Sequence, residues 1–105
     1  MTKHHFQLAY TIKPRSDDDE SAAAQARLHL RDIGWDTLPQ IETTLLGEVH
    51  LYHSTTHDRI NEAERQIRER IHEQLKELKV LTRVKFYASL MVDGLGPAIR
   101  FSILA

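Results

Sequence analysis

Between His57 and Lys79, apolar residues fall at Ile60, Ala63, Ile67, Ile71, Leu75 and Leu78, and nearly everything between them is charged or polar. Recurrence at every third or fourth position lines up as one stripe on an α-helix. A one-sided stripe of this length suits a helix laid across a flat partner. The segments on either side supply that partner, because their pattern changes from helical spacing to alternation. From His5 to Ile12, Phe6, Leu8, Tyr10 and Ile12 share one parity, and His5, Gln7, Ala9 and Thr11 share the other. This predicts a half-buried strand that Pro14 ends.

A turn through Ser16 follows, and Ser16 or Asp17 is a candidate cap for a first helix. The acidic run Asp17-Asp18-Asp19-Glu20 suits the positive end of that helix's dipole. Ala22, Ala26, Leu30 and Ile33 give it an apolar stripe, and Gly34 supplies a C-terminal stop. Next come Leu38, Ile41, Thr43 and Leu45, then Val49 and Leu51 beyond Gly47. The spacing predicts a β-hairpin turning at Leu46-Gly47-Glu48, with one bent strand as the competing reading. Thr55 and Asp58 have the form of a capping box for the long helix. A strand from Arg83 to Val92, a turn at Asp93-Gly94-Leu95-Gly96-Pro97, and a short strand carrying Ile99, Phe101 and Ile103 complete the chain.

The element order is β-α-β-β-α-β with one extra C-terminal strand. It predicts an α+β, ferredoxin-like domain over residues 1–105, with two helices on one face of an antiparallel sheet.

Composition narrows function mainly by exclusion. The chain has 105 residues, 41% hydrophobic and 28% charged, with a formal net charge of −1. That balance fits one soluble globular domain and lacks the overall basic field of many nucleic-acid binders, so nucleic-acid binding requires a local patch. The sequence contains no cysteine, which removes disulfides, thiolate metal sites and cysteine nucleophiles and fits a cytoplasmic setting. No apolar stretch approaches a membrane span and the N-terminus has no export-type apolar region, so no membrane association is expected.

The open sheet face is the leading candidate site. Alternation turns Lys85, Tyr87, Ser89 and Met91, together with Arg100 and Ser102, away from the helices. Tyr87 flanked by Lys85 and Arg100 forms a stacking platform with cations at its edge, the means by which sheets hold single-stranded RNA. The paired aromatics of the RNA-recognition module are missing, and a solvated face or a surface for a second subunit is the competing reading. His50, His53 and His57 are read as surface histidines, because His50 and His53 point to opposite sides of an extended segment. His53-Ser54-Thr55 has the His-x-Thr form of two-histidine phosphoesterases, but there is no second copy to face it. Glu62, Glu64, Glu69, Glu73 and Glu77, interspersed with Arg and Lys, are assigned to a solvated face of the long helix. No metal, cofactor or catalytic residue is expected.

A strand ending Leu8-Ala9-Tyr10-Thr11-Ile12, an acidic turn, a helix leaving through Leu30-Arg31-Asp32-Ile33-Gly34-Trp35 and a further strand form a layout that resembles the small ferredoxin-like ribonuclease group. That group includes CRISPR adaptation nucleases, virulence-associated protein D ribonucleases and the RNA-cleaving antitoxin of type V toxin–antitoxin systems. The likeness covers the order of elements over most of the chain and implies the fold and a homodimer. The group typically carries an aspartate at the end of the first strand, where Thr11 follows Tyr10 here, so it implies no catalytic residue. The combined expectation is a small cytoplasmic binding or regulatory protein, RNA-associated or antitoxin-like, acting as a homodimer without robust catalysis. Two alternatives stand beside it. One is a metal-dependent endoribonuclease using Asp17, Asp18 or Asp19, and the other is a structural homodimer or adaptor for a protein partner.

Overall fold

The computed structural model describes residues 2–104. Over them the chain forms β1 (Thr2–Pro14), a 3-10 turn (Asp17–Asp19), α1 (Glu20–Leu30), β2 (Asp36–Leu38), β3 (Ile41–Leu51), α2 (Thr56–Glu77), β4 (Val84–Val92) and β5 (Ile99–Ile103). The result is an α+β arrangement of two helices and a five-stranded antiparallel sheet ordered β2-β3-β1-β4-β5.

The alternation in β1 sets this arrangement. Phe6, Leu8, Tyr10 and Ile12 are buried, whereas His5, Gln7, Ala9, Thr11 and Lys13 are exposed. Both helices bury their stripes in the same cluster as the buried set of β1. Ala22, Ala23 and Ala26 bring α1 close against β1, because side chains this small let a helix backbone approach the sheet. Ala63, Ile67, Ile71 and Leu75 bury the long stripe of α2, which packs on β3 and β5. Thr55 caps α2 as its spacing predicts, its Oγ1 accepting the Asp58 backbone N–H at 3.2 Å. At the other helix the outcome differs. Ser16 precedes the 3-10 turn and donates its hydroxyl to Asp19 Oδ2 at 3.0 Å, and α1 begins only at Glu20.

The hairpin turn lies at Pro39-Gln40, and β3 runs unbroken through Gly47. Gln40 takes the left-handed conformation (φ 65°) that closes β2 onto β3. Gly47 has a packing role instead of a turning one. It sits opposite Phe6 in the β1–β3 ladder, beneath the edge-to-face pair of Phe6 and Trp35, whose centroids are 5.0 Å apart. A Cβ at this position would lie 2.7 Å from two Phe6 ring atoms and 3.0 Å from Trp35. Phe6 is held in the core and cannot swing aside. Gly47→Ala is therefore expected to cost about 1–3 kcal/mol by overpacking. A urea titration followed by Trp35 fluorescence checks this, and an unshifted midpoint contradicts the packing role.

Candidate nucleic-acid interface

Pairing registers fix the layout of the open face. Thr11, Tyr87 and Ser102 form one row across β1, β4 and β5, and Ala9, Ser89 and Arg100 form the next. On the other side of Tyr87, Lys13 lies directly opposite Lys85. Together Ala9, Thr11, Tyr87, Ser89, Arg100 and Ser102 help line a shallow depression of about 680 Å³. Tyr87 keeps 40% of its surface exposed there. The Lys13 ammonium stands 5.9 Å from the centroid of its ring, at the outer limit of a cation–π contact.

The structure thus brings Lys85, Tyr87 and Arg100 together on one face, as alternation predicts. It adds Lys13, which stands one residue beyond the alternating run His5–Ile12 and shares its outward parity. Pro14 ends β1 as expected, pairing with Val84, and the next N–H, from Arg15, reaches the Arg83 carbonyl at 3.1 Å. Proline is tolerated there because it stands at a strand end, where one missing donor interrupts little of the ladder. Extending the parity of His5, Gln7, Ala9 and Thr11 by one step would have found Lys13.

The acidic run is occupied with structure. Arg83 Nε donates to Asp19 Oδ1 at 2.8 Å, and Arg83 Nη2 donates to the Asp18 carbonyl at 3.2 Å. The Arg83 bond is the main reason the Asp19 carboxyl is held below its ordinary pKa, with the Ser16 bonds assisting. Asp17 and Asp18 point to solvent. Among the described residues no three His, Asp or Glu side chains converge as a metal site, and His50, His53 and His57 do not assemble one.

Glu62 departs from its expected place. It is only 5% exposed, and its Oε1 accepts the backbone N–H groups of Tyr52 at 2.9 Å and His53 at 3.3 Å. It ties the end of β3 to the second turn of α2, with Arg59 Nε donating to the His53 carbonyl at 2.8 Å beside it. No periodic signal marks this position, because helical spacing cannot reveal a partner contributed by an incoming loop. Burial pushes the Glu62 carboxyl up. The two backbone donors, with His53 and Arg65 nearby, outweigh it and leave the pKa lowered.

Both depressed carboxyls contribute stability that is present above their unfolded pKa values. It is lost as pH falls through the folded values. Resistance to urea is therefore expected to decline as pH drops below about 4. Glu62→Gln, which keeps an acceptor oxygen without the charge, should lose less over the same descent than the native chain. Identical acid responses in the two proteins would remove Glu62 from this role.

Compared with family models, with curated proteins and with solved structures, the chain gives no match. Among the described residues, no helix is long and apolar enough to cross a membrane.

Proposed function

We propose that this chain is a small, cytoplasmic, non-catalytic binding domain of ferredoxin-like topology whose open sheet face holds single-stranded RNA. The order β2-β3-β1-β4, with α1 following β1 and α2 following β3, supports the topology, and β5 extends the sheet beyond β4. One observation carries the function: a half-exposed Tyr87 lies with Arg100 in one depression of the open face, and the Lys13–Lys85 pair occupies the adjoining row. A base stacks on the Tyr87 ring and the three cations meet phosphates, so binding is tolerant of sequence and sensitive to salt.

The test is a fluorescence-anisotropy titration of a labelled oligouridylate at low and moderate salt, with Lys85→Ala and Arg100→Ala beside the native chain. Each variant is expected to bind more weakly, by several-fold at low salt, and to show a shallower salt dependence. Affinities indistinguishable from the native chain rule the reading out. The same RNA is expected to survive incubation with magnesium or with EDTA. Cleavage that EDTA abolishes would instead favour a metal-dependent endoribonuclease.

A self-associating reading of the same face rests on Met91, which is 52% exposed in the row beyond Ser89. It predicts a stable homodimer by light scattering and no shift with any nucleic acid.

A further inference from the structure

Charges on the open face are sorted by strand. Lys13, Lys85 and Arg100 stand on β1, β4 and β5. The carboxylates sharing this side stand on β2 and β3. Asp36 is opposite Leu46, Glu48 is opposite His5, and Glu42 lies two residues before Thr44, which pairs with Ala9. Glu48 is also within 3.6 Å of His5 Nδ1 and 3.9 Å of the Lys3 ammonium, so the one remaining cation of β1 is matched to an acid. Arg15, beyond the end of β1, is turned to the carbonyls of Val84 and Leu104.

From this sorting, and resting on the RNA reading above, we infer that the ligand is a very short single-stranded segment. It is about three to four nucleotides long and confined to the β1–β4–β5 strip, with Asp36 and Glu42 keeping polyanions off β2 and β3. Lys85 and Arg100 stand four residues apart along the strands, about 14 Å at the usual rise. Three cations neutralise at most three phosphates. One exposed aromatic residue stacks one base. A longer strand leaving the strip toward β3 meets carboxylates of its own sign at distances where exposed charges still act.

A length series of oligouridylates from two to ten nucleotides, titrated by anisotropy, reads this directly. Affinity is expected to climb up to three or four nucleotides and then to change only by the few-fold that overlapping registers supply. For the tetranucleotide, whose three phosphodiesters match the three cations, the slope of log K against log salt is expected to be about −2. The combined variant Asp36→Asn, Glu42→Gln is expected to bind the octamer at least 3-fold more tightly and the trimer almost unchanged. Affinity that keeps growing about 10-fold from four to eight nucleotides, a slope steeper than about −4, or an unchanged octamer in the combined variant overturns the short footprint while leaving RNA binding intact. Absence of binding at every length removes the RNA reading itself, and the footprint with it.

Discussion

Phe86→Ala is expected to lower the unfolding free energy by about 3–5 kcal/mol, the usual cost of emptying a buried phenylalanine site. Phe86 is fully buried on β4. Its ring stacks on Tyr10 at 5.5 Å and leans on Phe101 at 6.0 Å, so it joins the two strands flanking β4. Removing it takes away both contacts and leaves a void that β1 and β5, fixed by their ladders, cannot close. A domain of this size has on the order of 5–15 kcal/mol in total, so the variant retains little reserve. Phe86→Leu refills most of the volume and is expected to cost less than the alanine. Urea unfolding at neutral pH ranks the three proteins, and equal midpoints for Phe86→Ala and the native chain would remove this ring from the centre of the core.

One position further along the strand, the consequences reverse. Tyr87→Ala is expected to leave stability within about 0.5 kcal/mol, as for exposed substitutions generally. RNA affinity is expected to fall by about 1–3 kcal/mol, the range for losing one stacked base. In the dissociation constant that is roughly a 5- to 140-fold loss. Tyr87→Phe keeps the ring and should bind within a few-fold of the native chain, which separates stacking from hydrogen bonding by the hydroxyl. If the phenylalanine variant binds as poorly as the alanine, the ring is not a stacking surface.

That two neighbours should differ so completely follows from the two-residue period of a strand, and this was the most legible physics in the sequence. Alternation over His5–Ile12, Arg83–Val92 and Ile99–Ile103 is enough to sort inward from outward residues and to assemble the Lys85, Tyr87 and Arg100 face. The apolar spacing of α2 and the Thr55 cap were equally readable, because both depend on residues within a turn of each other. What escapes local reading is set by partners on other elements. Gly47 reads as a turn residue on local grounds, yet its lack of a side chain is demanded by Phe6 and Trp35 packed over it. Glu62 reads as one more solvated helix charge until the end of β3 arrives to use it. Asp19 reads as a dipole-facing carboxylate, and its stronger partner, Arg83, lies 64 residues away.

Residue-resolved amide shifts recorded while a uridine trinucleotide is titrated into labelled protein show whether RNA sits on the open face. Saturable changes are expected, concentrated at Lys13, Lys85, Tyr87, Ser89, Arg100 and Ser102, with α2 and the Asp17–Asp19 turn left still. Changes centred on the helices or on the acidic turn, or none up to millimolar ligand, would contradict that placement.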